Sequence, residues 1–246
     1  MLDKKWKRLN RREVLAALGA GFGAALAGCG SSATSPTSTT TTGSTSGSGT
    51  SSAACAVAAS ETAGPYPDIL GMINNPAFFR RDVTEGKSGL PLTLTLTIVD
   101  VNSGCAAVSN ANVEIWHCDA AGDYSEYSQP GFNGVGRTFL RGVQTTDASG
   151  QVTFTTIYPG WYSGRATHIH VDIYRSGRVV KTTQIAFPES VTAAVYTTGV
   201  YAARGQNPTS NTGDNVFSDG TSTELAALSR SAGSGYTATL TIGIAA

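Results

Sequence analysis

Nine consecutive residues, Tyr162 to His170, hold a tyrosine, an arginine (Arg165) and two of the three histidines of this chain, His168 and His170. The run from His168 to Ile173 alternates polar and apolar residues, so as a strand it sends positions i and i+2 from one face. Both imidazoles then point the same way, and Asp172 continues their face. A His-x-His pair on a rigid strand supplies two neighbouring nitrogen donors, a common way to fill two cis positions around a metal. The turn Pro159-Gly160-Trp161-Tyr162 delivers a phenol just ahead of the strand. Imidazole and phenolate together suit a hard, acidic ion, above all Fe(III). Two other readings of the pair remain open: histidines held only by hydrogen bonds, and a copper or zinc site to which the tyrosines are incidental.

These side chains need a scaffold, and the sequence predicts one made of strands. Leu90 to Val101 reads LPLTLTLTIVDV, with Leu92, Leu94, Leu96 and Ile98 on one face and Thr93, Thr95 and Thr97 on the other. Ala111 to Cys118 alternates Val113 and Ile115 with Glu114 and Trp116. Further strands are predicted at Val152–Ile157, His168–Tyr174, Val179–Phe187 and Thr237–Ile244, with turns at Asn102–Gly104, Asp147–Gly150 and Ser176–Gly177. Short helical turns are predicted only at Glu189–Tyr196 and Thr223–Ser229. This pattern predicts an all-β fold, an antiparallel β-sandwich with few short helices.

The sandwich is expected to occupy residues 55–246, because the N-terminal stretch cannot bury a core. Residues 1–12 carry six basic side chains, and a weakly apolar run from Val14 to Gly28 follows, too short for a spanning helix of about 20 residues. We read residues 1–28 as a signal peptide. Its Arg11-Arg12 resembles a twin-arginine export signal, and Leu26-Ala27-Gly28-Cys29 a lipoprotein processing box. Lipidated Cys29 would tether the mature chain to a membrane at the cell surface or in the periplasm. Residues 29–54, rich in Ser, Thr and Gly, read as a flexible linker. Residues 1–28 hold six of the 17 basic and two of the 17 acidic side chains, so the remainder carries 11 against 15. A net charge of about −4 argues against nucleic acid as a partner.

Four cysteines in an exported chain invite cross-linking. With Cys29 reserved for lipid, Cys105 and Cys118, which flank a strand and its entry loop, are the preferred disulfide. The alternative, Cys118 as a metal ligand, is disfavoured by an oxidising compartment.

Beyond Trp116 a second loop, HCDAAGDYS, carries Tyr124. Taken jointly, VEIWHCDAAGDYS, FLRGVQTTDASGQVTFTTIYPGWYSGRATHIHV and the early Gly64-Pro65-Tyr66-Pro67 resemble the intradiol ring-cleavage dioxygenases, in their exported single-chain branch. The resemblance runs from about Glu61 to Phe217. It implies a non-haem Fe(III) held by Tyr124, Tyr162, His168 and His170. It also implies that Arg165 faces the substrate, that Gln184 on the following strand assists it, and that Tyr162 is the tyrosine displaced when substrate binds. The reaction it implies cleaves a catechol between its two hydroxylated carbons with O2, giving muconate-type products.

Several positions stay open. Tyr66 is either a pocket wall or plain packing, and His117 reads as structural, since it lies on the face opposite Trp116. Arg165 could instead pair with a carboxylate such as Asp172. Ala63 departs from a glutamate common among relatives, and the short segment Ser163–Thr167 removes bulk from the pocket. With no spare cation in the motif region except Arg137 and Arg141, a neutral catechol or hydroxyquinol is expected over protocatechuate. The competing class is a non-catalytic cell-surface β-sandwich that binds carbohydrate or protein.

Overall fold

Period-two patterning becomes two stacked sheets in the computed structural model, which describes residues 56–231 and 235–245, all within one unit spanning Gly49–Ala246. The leader, Cys29, the linker and Cys55 lie outside the described residues. Eleven strands and one α-helix are present among those described. The first sheet is built on β1 (Pro91–Asp100). β11 (Tyr236–Ile244) pairs along one edge of β1, and β10 (Ala227–Arg230) lies outside β11. The other edge of β1 is shared by β7 (Gln151–Ile157) and β2 (Ala106–Ala107). The second sheet has the order β6-β3-β8-β9: Arg141–Thr145, Asn112–Trp116, His168–Arg175 and Arg178–Ala186, all antiparallel. A short hairpin, β4 (Ser128–Gln129) with β5 (Phe132–Asn133), stands apart.

One apolar cluster joins the two sheets. Leu92, Leu94, Leu96 and Ile98 meet Val113, Ile115, Ile169, Val171 and Ile173 across the interior, all essentially fully buried. At about 1.5–3 kcal/mol for each large aliphatic side chain buried, this interface is the main favourable term of the fold. The threonines of β1 stay half-buried on the opposite side, as alternation requires.

The second sheet departs from simple in-out patterning, because its outer face is covered too. Residues 61–83 lie across it. Met72 and Phe78 pack on Val143 of β6, and the Arg80 backbone N–H donates to the Val143 carbonyl at 3.2 Å. Glu114, Trp116, His168 and His170 are therefore as buried as their apolar neighbours.

Three expectations need correction, and one strand was not expected. The sandwich is mixed rather than purely antiparallel, since β1 and β11 run parallel from Leu92↔Tyr236 to Asp100↔Ile244. Helical character is present at α1 (Glu189–Val195) but not at Thr223–Ser229, where a turn leads into β10 and pairing to β11 overrides local Ala and Leu propensity. β6 is a strand that the sequence pattern does not announce, because its Arg-Gly start breaks the alternation. Finally, Cys105 is disulfide-bonded but Cys118 is a free, buried thiol. Cys118 lies beyond the end of β3 against Trp116 and Tyr124, and Cys105 before its start. Five extended residues, at roughly 3.4 Å each, outreach the ~7 Å that a disulfide can span.

Candidate metal centre

The outer face of the second sheet carries the histidines. His168 pairs with Ala186 across β8–β9, and His170 with both Gln184 on β9 and Trp116 on β3. The Trp116 indole stacks flat on the His170 ring, 4.7 Å between centroids and 2° between planes, which fixes the imidazole. Gly64 then passes directly over that ring at φ +72°, where an added Cβ would come within 2.8 Å of His170 Cε1. Only glycine combines that backbone angle with so close an approach.

Two loops bring the tyrosines in. The Asp119 side chain accepts from the backbone N–H groups of Ala121 and Asp123, and the Tyr124 N–H donates to Gln129 Oε1 at 2.6 Å, which pins the loop after β3. Gly122, at φ +89°, abuts the Trp161 carbonyl, and Gly160 N–H donates to the Asp119 carbonyl at 3.1 Å. The two loops are thereby locked together, and Tyr124 and Tyr162 meet edge to face at 5.7 Å. Tyr162 also meets His168 edge to face at 5.6 Å.

The structure thus gathers Tyr124, Tyr162, His168, His170, Arg165 and Gln184 in one place. His168 Nδ1 lies 2.6 Å from the Ala166 carbonyl, which can only accept, so the proton sits on Nδ1 and Nε2 offers a lone pair. That Nε2 is 3.1 Å from His170 Nε2. Burial pushes His168 down to about 3, helped by the Arg165 charge, and pushes His170 well below its ordinary value. Both rings are neutral at physiological pH. Burial raises the Tyr124 phenol well above its usual range and Tyr162 to about 12, with Arg165 opposing the latter. The Tyr124 hydroxyl, fully buried, has no partner within the protein. Two converging neutral imidazoles, two phenols and an orphaned buried hydroxyl fit a trivalent ion. Phenolates supply the negative charge that burial forbids them without it.

Arg165 is held on several sides. Its Nε donates to Asp214 at 2.9 and 3.1 Å, its Nη2 to Gln184 Oε1, and its Nη1 lies 3.3 Å from Tyr162 Oη and 3.4 Å from His168 Nε2. The carboxylate partner is therefore Asp214, not Asp172. Gln184 is anchored in turn by donating to the Thr62 carbonyl at 2.8 Å. Sequence reading missed Asp214, which lies 49 residues from Arg165 in an irregular segment and carries no local signal. Tyr66 proves to be a wall of the site, stacked on Tyr124 at 4.6 Å. His117 is structural: its Nε2 lies 2.7 Å from Thr156 Oγ1 and its Nδ1 2.8 Å from the Cys118 carbonyl. Arg137 is exposed, whereas Arg141 is fully buried and held by Ser125, the Tyr66 carbonyl and Glu126, with only its Nη1 lacking a partner.

Comparison with known proteins points to one family. A family model described as Dioxygenase matches residues 71–207, more than half of the chain. The β chain of protocatechuate 3,4-dioxygenase from Burkholderia cepacia is 33% identical over 44% of this chain and 51% of its own length, so the chain spans about half the length of that curated relative. An intradiol ring-cleavage dioxygenase from Tetranychus urticae superposes with a TM-score of 0.68 at 29% identity, covering 77% of this chain and 95% of its own. The dioxygenase domain of a dioxygenase and carbohydrate-binding protein fusion from Streptomyces sp. SirexAA-E gives 0.55 at 28% identity, covering 76% and 97%.

Proposed function

The chain belongs to the intradiol ring-cleavage dioxygenase family, and from that premise we propose that it opens a neutral catechol between its hydroxylated carbons, using O2 and a non-haem Fe(III). Tyr124, Tyr162, His168 and His170 would hold the ion. The observation that carries this reading is the convergence of the two histidine Nε2 atoms, 3.1 Å apart, beside a buried phenol that lacks any protein partner. When bound, ferric iron supplies Lewis acidity that lowers the pKa of the catechol hydroxyls and prepares the ring for O2.

The remaining work falls to side chains. Tyr162 is only partly buried and its Oη sits beside Arg165 Nη1, so it is the phenol placed to hold a substrate proton. Tyr124 is enclosed under Tyr66, out of reach of solvent. Arg165, oriented by Asp214 and Gln184, offers a preorganised positive charge to the ring as negative charge develops during O2 attack. Tyr66, stacked on Tyr124, and Gly64, against the His170 ring, cover the site from the N-terminal segment.

A ring carboxylate would want its own cation. Arg165 already answers to Asp214, Arg141 to Glu126, and Arg137 faces solvent. Catechol or hydroxyquinol should therefore be turned over with a higher kcat/KM than protocatechuate. Iron-loaded protein should be burgundy from tyrosinate charge transfer and yield a muconate-type product. A colourless protein with full iron content, or a product cleaved outside the diol, would overturn the proposal. Export by the twin-arginine route and a lipid anchor at Cys29 complete it, and a Cys29→Ser variant found still in the membrane fraction would remove the anchor.

A further inference from the structure

Beside Thr183 of β9, three carboxylates converge. Oxygen atoms of Glu61, Asp219 and Glu224 lie within 4.8 Å of one another. They come from three separate segments: the stretch leading to Gly64, the loop after Phe217, and the turn before β10. Glu61 N–H donates to the Thr182 carbonyl at 3.0 Å, which fixes that stretch against β9. Glu224 is fully buried, and its Oε1 accepts from Thr183 Oγ1 at 3.0 Å.

An independent feature points to a ligand. Glu224 Oε2 is buried and has no partner. No Lys or Arg among the described residues forms an ion pair with any of the three. The nearby cations are committed elsewhere, Lys181 to the Ala58 carbonyl and Ser60 Oγ at 2.8 Å each, and Arg165 to Asp214. Three convergent carboxylates, one with a buried free oxygen, are costly unless a cation answers them.

We propose that Glu61, Asp219 and Glu224 form a second cation site, separate from the iron centre, that takes calcium. An all-oxygen donor set of irregular geometry, partly open through Asp219, suits calcium over the smaller, more strictly octahedral magnesium. Bound calcium ties the segment over His170, the Thr183–Gln184 end of β9 and the Phe217 loop into one unit. Arg165 lies over the Phe217 ring at 5.9 Å and is held by Gln184, so the ion stiffens the frame that orients it. Without a cation, burial raises Glu224 to about 7, with Glu61 and Asp219 adding to the rise and hydrogen bonding from Thr183 and the Gln184 backbone opposing it. Burial also raises Glu61, with Asp219 and Asp214 adding and the Arg165 charge opposing. A raised carboxylate favours the folded state at low pH and loses that contribution as pH climbs through its folded value. Calcium-free protein should therefore lose stability between about pH 5 and 8, and calcium should restore it.

The test uses iron-loaded full-length protein cleared of free divalent ions on a chelating resin. Equilibrium dialysis against radioactive calcium at pH 7.5 should show about one calcium per chain with Kd on the order of 10⁻⁴–10⁻³ M. Saturating calcium should raise Tm by about 2–5 °C, with magnesium giving less. Glu224→Gln keeps the bond from Thr183 and Asp219→Asn changes only an exposed side chain. Each should weaken calcium uptake at least tenfold while leaving iron content unchanged. No calcium uptake by the wild type, or uptake unaltered in both variants, would overturn the proposal. So would a Glu224→Gln variant that is more stable at pH 7.5 while the wild type ignores calcium, because the three groups would then be sharing protons.

Discussion

The two faces of the β3–β8 ribbon are both largely buried and chemically opposite. On the inner face Val113, Ile115, Ile169, Val171 and Ile173 interdigitate with the first sheet. On the outer face, one residue out of step, stand Glu114, Trp116, His168, His170 and Asp172. There Glu114 Oε2, Trp116 Nε1, His170 Nδ1 and Asp172 Oδ1 are buried without partners. Burial alone therefore does not distinguish core from site. What distinguishes them is whether the buried atoms are satisfied: the inner face stabilises the fold, and the outer face carries polar groups whose cost the inner face must offset.

The sharpest way to break this contrast is to change one residue on each face. His170→Ala or Tyr124→Phe should abolish stoichiometric iron binding and cut kcat/KM by at least about 10³, with folding retained in far-ultraviolet circular dichroism. Metal analysis showing full iron in both variants would refute the ligand assignment. Arg165→Ala should keep iron and colour yet lose about 10²–10³ in kcat, because it removes a charge that acts on the substrate rather than on the ion; single-turnover kinetics reads this directly. On the inner face, Ile169→Ala should cost about 2–5 kcal/mol of stability, with the iron-to-folded-protein ratio unchanged in denaturant titration.

The smallest effect concerns acidity on the outer face. Burial, reinforced by Asp68 and Asp172, raises Glu114 to about 8. Its contribution is fully present below about pH 4.5 and fades as pH rises through 8. Glu114→Gln should flatten the fall in stability between about pH 5 and 9, by a few kcal/mol at most, since each tenfold change in proton affinity is worth about 1.4 kcal/mol. Tm profiles that remain parallel for wild type and variant would show that Glu114 is not the group responsible.

Strands with strict alternation were legible in the sequence because a half-buried strand must alternate, so β1, β3, β7, β8, β9 and β11 were located to within about two residues. β6 and β10 were not, since their partners rather than their residues make them strands. At the site, the six residues expected there do converge, because each sits on a strand or a glycine-marked turn with its own local signature. Asp214, the roof formed by Gly64 and the stack of Trp116 on His170 arise only from contacts between distant segments. The disulfide was misread for a related reason: sequence spacing across a strand does not measure distance through space.

The parallel pairing of β1 with β11 sets the order of assembly during synthesis. Leu92 meets Tyr236, so the second edge of the central strand of the first sheet stays uncovered until Tyr236 and the residues after it have been synthesised. Closing so long a loop is entropically slow, which puts folding in the regime of milliseconds to seconds. Until then β1 exposes a ten-residue edge of alternating leucine and threonine, the kind of template on which nascent chains pair with one another. A chain truncated before Tyr236 would carry that edge permanently and should aggregate rather than fold into a smaller sandwich.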